Sequence, residues 1–80
     1  MTQRQEDREK WIINALVMCR GDAVTASEVL EMTARRTGYP TLATTKKDLL
    51  RLVDRGTVER FIGTGPRNVD CFRLHKDAEL

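Results

Sequence analysis

The sequence predicts an α+β domain in which three helices are followed by a small antiparallel β-hairpin. Three observations predict it. Residues 42–55 place Leu42, Leu49, Leu52 and Val53 on one side and Thr44, Lys47 and Arg51 on the other, at helical spacing, and Gly56 ends the run. Two strand-like stretches follow at 57–62 and 69–74, containing Val58, Phe61, Ile62, Val69, Phe72 and Leu74. Between them stand Gly63, Thr64, Gly65, Pro66, Arg67 and Asn68, a turn composition too long for a two-residue hairpin loop.

The first helix is expected over residues 5–20, where Ile12, Ala15, Leu16 and Cys19 recur at i, i+3, i+4, i+7 and Trp11 and Met18 widen the stripe. Thr2 and Gln5 have the spacing of a capping box, which allows a start at Gln3, and Gly21 is the expected stop. Residues 22–24 are too short for an independent strand, but they suit a minimal third edge against the hairpin. Thr25 and Glu28 form a second capping box, opening a helix over about 26–37 with Val29, Leu30, Thr33 and Ala34 inward. Glu31 and Arg35, four apart in the favourable order, are expected to pair. Gly38 and Pro40 break this helix, Tyr39 is expected to pack with its hydroxyl in water, and Thr41 is the natural N-cap of the third helix. In the hairpin, alternation puts Phe72 and Leu74 on the helix-facing side and leaves the orientation of Phe61 and Ile62 open.

Eighty residues make one domain, 1–80, with its core at about 6–74 and a polar, frayed tail at 75–80. A chain of this size buries roughly 60–65% of its unfolded surface, so one small core must serve every element. A composition of 40% hydrophobic and 32% charged residues excludes a disordered chain. No apolar run approaches the roughly 20 residues that span a bilayer, so no membrane partner is expected. The opening MTQRQEDREK carries both signs of charge and is not a secretory signal, which points to the cytoplasm.

Cys19 and Cys71 are the only cysteines, one on a helix face and one in a strand, which suits two reduced, partly buried thiols. With His75 they fall short of a closed structural metal site, so neither metal nor cofactor is expected. No glycine-rich phosphate loop follows a strand, and neither cysteine has an evident base, so the chain does not read as an enzyme.

The net charge is only +2, but it is unevenly spread. Residues 21–34 are acidic, with Asp22, Glu28 and Glu31 unopposed. Residues 35–55 carry Arg35, Arg36, Lys46, Lys47, Arg51 and Arg55 against Asp48 and Asp54 alone. The positive excess therefore sits on the third helix and its approach, where a polyanion would meet it.

The order helix, short strand, helix, turn, helix, strand, loop, strand, with the junction LLRLVDRGTVER around Leu49, Leu52, Gly56 and Val58, resembles the winged helix-turn-helix superfamily of prokaryotic regulators. The resemblance covers about residues 6–74. It implies a three-helix domain with a β-hairpin wing and a partner of double-stranded DNA. The helix at about 42–55 would lie in the major groove, and the loop 63–68 would meet the minor groove or the backbone. On that resemblance Thr44 and Lys47 approach base edges, with Lys46 beside them, and Arg51 reaches a phosphate. Arg67 sits at the wing tip, and Arg35 and Arg36 add phosphate contacts. The reading face lacks Asn, Gln or Arg near its start, which leaves shape or backbone readout open. The small size suits a phage- or plasmid-type transcriptional regulator. A second reading stands beside it: a winged-helix protein-interaction module without direct DNA binding. Trp11, Ile13, Val17 and Met18 spread around more of the first helix than one core needs, which suits a protein partner or a homodimer through that helix.

Overall fold

The computed structural model describes residues 3–62 and 69–76. Helix α1 (Gln3–Met18) leads to a two-residue strand β1 (Val24–Thr25), helix α2 (Ala26–Thr37), helix α3 (Leu42–Asp54) and the strands β2 (Val58–Ile62) and β3 (Asp70–Leu74). The fold is mixed α+β: three helices and one antiparallel sheet in the order β1-β3-β2.

In α1, Ile12, Ala15 and Leu16 are buried, as their spacing requires. The helix ends at Met18, short of the expected Arg20. The Arg20 N–H turns back to the Val17 carbonyl at 3.1 Å, a tighter turn than the α-helix, and Arg20 and Gly21 both take positive φ. Cys19 therefore lies just beyond the helix; it and Cys71 are free and half-buried. The Thr2 cap lies outside the described residues.

Strand β1 realises the minimal third edge, starting two residues and ending one residue later than 22–24, with Val24 opposite Phe72 and Thr25 opposite Cys71. Thr25 also caps α2. Its hydroxyl accepts from the Glu28 N–H at 3.2 Å, and the Glu28 carboxylate accepts from the Thr25 N–H at 3.2 Å. Val29 and Thr33 are buried with Ala26, while Leu30 and Ala34 are half-buried. No ion pair joins Glu31 to Arg35; both are exposed.

Gly38 takes the left-handed conformation (φ 80°) that closes α2. Tyr39 follows with φ 54° and its N–H on the Ala34 carbonyl at 2.8 Å. Its side chain is 72% exposed, not packed, because the left-handed backbone turns it away from the helices. Thr41 then caps α3, its hydroxyl accepting from the Thr44 N–H at 3.1 Å. Helix α3 ends one residue before the expected Arg55, which serves as its C-cap, and Gly56 reverses the chain at φ 80°.

In the hairpin, Val58 pairs with Leu74 and Arg60 with Phe72, whereas Glu59 pairs with Arg73 and Phe61 with Cys71. Alternation thus puts Val24, Val58, Phe72 and Leu74 on the helix-facing side. Ile62 shares that side but lies beyond the core's edge, and Phe61 points outward beneath the Arg73 guanidinium at 4.5 Å. One cluster of Ile12, Leu16, Ala26, Val29, Leu49, Leu52, Val58 and Phe72 joins all three helices to the hairpin. Past β3 the His75 N–H donates to the Thr57 carbonyl at 2.9 Å; residues 77–80 of the expected tail lie outside the described residues.

Candidate nucleic-acid interface

Helix α3 presents two different polar surfaces. At about 100° per residue, its buried positions Thr45, Asp48, Leu49 and Leu52 define the inner side. The opposite side carries Ala43, Lys46, Lys47, Leu50 and Asp54, all exposed. The expected stripe of Thr44, Lys47 and Arg51 does not stay together. Lys47 faces outward, while Thr44 and Arg51 are half-buried and turn toward α1.

The cause is a pair of buried carboxylates. Asp48 is 0% exposed and Glu9, on α1, only 4%. Asp48 accepts from Arg8 Nε at 2.8 Å and is also bonded by Arg51 Nη2. Glu9 accepts from Arg51 Nε at 3.2 Å and from Arg55 Nη2. An unpaired carboxylate at such depth would cost several kcal/mol, so each needs its guanidinium partners. Arg51 bridges the two acids and ties α3 to α1. This row of three arginines and two acids, Arg8–Asp48–Arg51–Glu9–Arg55, was legible only in part: Asp48 and Arg51 are three apart on one helix, but the contacts that join α3 to α1 span forty positions or more.

The Thr44 hydroxyl lies 3.0 Å from that of Thr41, and its N–H is committed to the cap, so its polar groups are engaged locally. Arg36 is stacked over the Trp11 ring at 4.5 Å, a cation–π contact that draws it toward α1. It also lines a cavity of about 470 Å³ between the N-terminal end of α1 and the α2–α3 turn, with Arg4, Asp7, Arg8 and Thr44. Arg35 is exposed at the end of α2. Arg67, with the whole 63–68 loop, lies outside the described residues.

Among the described residues, the cations of the hairpin strands are neutralised locally. Arg60 meets Asp70 at 3.1 Å, and Arg73 meets Glu59 at 2.9 Å. Lys46 and Lys47, by contrast, make no ion pair or side-chain hydrogen bond among the described residues. Lys46 and Leu50 also border a groove of about 250 Å³ between α3 and β3, with Ala26, Asp70 and Phe72 on its far wall. Leu50 is 40% exposed, although the adjacent Leu49 is fully buried.

A second surface lies between α1 and α2. Trp11, Ala15, Met18 and Met32 line a groove of about 360 Å³. Met18 is 74% exposed, whereas Ile13 packs against the core, so the apolar surplus on α1 reduces to Val17 and Met18 with Trp11 under Arg36. No helix is long and apolar enough to cross a membrane, and no group of three His, Cys, Asp or Glu residues is placed to hold a metal ion, among the described residues. Compared with known protein families, curated proteins and solved structures, the chain matches none.

Proposed function

We propose that this protein is a small sequence-selective binder of double-stranded DNA, a transcriptional regulator of phage or plasmid type built as a winged helix-turn-helix and working in the cytoplasm. One observation carries the reading: the outward side of α3 bears Lys46 and Lys47 with no acid pairing them, while its inner side is clamped to α1 through Asp48 and Arg51. A rigid helix with unneutralised ammonium groups fits the major groove, where lysine reaches phosphates or guanine O6 and N7. The short α2–α3 turn and the three-stranded sheet beside α3 support the same architecture. In this reading Arg51 serves the scaffold. Phosphate contacts fall to Lys46, Lys47, Arg35 and the loop residue Arg67.

The test is a gel shift with random-sequence duplex at low salt, followed by a salt titration. With about four to six phosphate contacts, the log-log slope is about −0.9 per contact. Absence of any shift at low salt rejects the reading.

The α1–α2 groove favours a second reading, a winged-helix protein-interaction module or a homodimer through α1. Exposed Met18 and Met32, which line the groove together, are an apolar surface of the kind a partner covers. Light scattering of the protein and of Met18→Glu distinguishes them: a dimer that the substitution splits assigns the groove to a second copy.

A further inference from the structure

We infer that α3 reads thymine methyl groups through Ala43 and Leu50, an assignment that rests on the DNA-binding reading above. The outward side of the helix holds five side chains: Ala43, Lys46, Lys47, Leu50 and Asp54. It lacks the Asn, Gln and Arg side chains that make paired hydrogen bonds to a purine edge. Thr44 has its polar groups committed to the cap and to Thr41, and Arg51 is held by Glu9 and Asp48. What remains facing out is two cations, two apolar side chains and, at the C-terminal end of the helix, the Asp54 carboxylate.

Those apolar side chains have one complement in the major groove. Of the groups that bases display there, only the C5 methyl of thymine is apolar. Leu50 is exposed without being loose: the helix fixes its backbone, and it borders the groove against β3 with Lys46 and Phe72. Burying it against a methyl group removes apolar area from water on both partners. Ala43 lies two helical turns before Leu50, about 10.5 Å along the axis, which matches about three base pairs of duplex. Lys46 and Lys47 fall between them, opposite the intervening guanine edges or the flanking phosphates. The inferred site therefore carries thymines about three base pairs apart, with guanine favoured between them.

Duplexes enriched by the protein from a random pool would be resynthesised with deoxyuridine at each thymine position in turn. Uracil keeps every hydrogen-bonding group of thymine and lacks only the methyl. The expected result is a loss of about three- to fourfold in affinity at each of two positions, the worth of about one buried methyl. Leu50→Ala, at a surface position, should abolish the thymine-over-uracil preference at one of those positions and leave the other intact. Circular dichroism and thermal unfolding verify that the variant is folded. Enriched duplexes that bind equally well with uracil overturn the inference and leave DNA binding standing. So does a Leu50→Ala protein that keeps both preferences. No enrichment, with no binding at low salt, overturns the inference and the DNA-binding reading together.

Discussion

Arg8 on α1 donates from Nε to the carboxylate of Asp48 on α3 at 2.8 Å, and Asp48 is fully buried. Around this contact the two helices share one ionic cluster, because Arg51 bonds Asp48 and reaches back to Glu9. Such clusters are stable only while every member is paired. Asp48→Ala leaves the Arg8 and Arg51 guanidiniums without their buried acceptor and opens a void. Its expected effect is a loss of about 3–5 kcal/mol in unfolding free energy, measured by urea titration. In a domain stable by about 5–15 kcal/mol, this approaches the threshold of folding. Asp48→Leu combined with Glu9→Leu, Arg8→Met and Arg51→Met should recover much of the loss, since apolar groups of similar volume can replace a buried ionic cluster.

The lysines on the outward side of α3 behave differently because they make no ion pair or side-chain hydrogen bond among the described residues. Lys46→Ala and Lys47→Ala should leave thermal unfolding within about 0.5 kcal/mol of the parent. Each should reduce the magnitude of the salt slope of DNA binding by about 0.9 if its ammonium sits on a phosphate. The harsher pair Lys47→Glu and Arg67→Glu should abolish binding while circular dichroism stays unchanged. Retained affinity in that pair counts against the proposed face.

The cap of α2 offers a purely local test. The Thr25 hydroxyl satisfies the Glu28 N–H, and Glu28 answers to the Thr25 N–H. Thr25→Ala should lower unfolding free energy by about 1 kcal/mol, with Thr25→Ser close to neutral. A larger loss would mean that pairing of β1 with β3 depends on the same residue, since Thr25 stands opposite Cys71.

The α2–α3 turn contains two successive left-handed residues, Gly38 at φ 80° and Tyr39 at φ 54°. A tyrosine is strained in that conformation, and an exposed side chain returns little packing in compensation. Tyr39→Asn should raise stability by about 0.5–1 kcal/mol, because asparagine visits this region more readily. Gly38→Ala should lower it by about 1 kcal/mol, since open space around the glycine leaves backbone strain as the only penalty. Denaturant midpoints of the two variants provide the check.

Much of the chain's local structure was legible because its causes are local. The start of α2 at the Thr25–Glu28 box and the Thr41 cap follow from side chains that bond their own backbone within four residues, and the Gly38 stop from a glycine's freedom to turn left-handed. The three-versus-two periodicities separated helices from strands for the same reason. Where a neighbour decides, single letters were silent. Phe61 and Ile62 were equivalent until the register with Cys71 and Asp70 assigned each a side of the sheet.

The outward side of α3 is the clearest such case. Thr44, Lys47 and Arg51 share a stripe on a bare helix, and periodicity alone groups them. The sequence by itself determined that this helix would form, where it would begin, where it would end to within one residue, and that Leu49 and Leu52 would be buried. Only the tertiary structure decided which charges remain for a partner. Glu9 arrives from a distant helix and neutralises Arg51, because a carboxylate deprived of water must find a cation there, whereas Lys47 keeps its water and stays available.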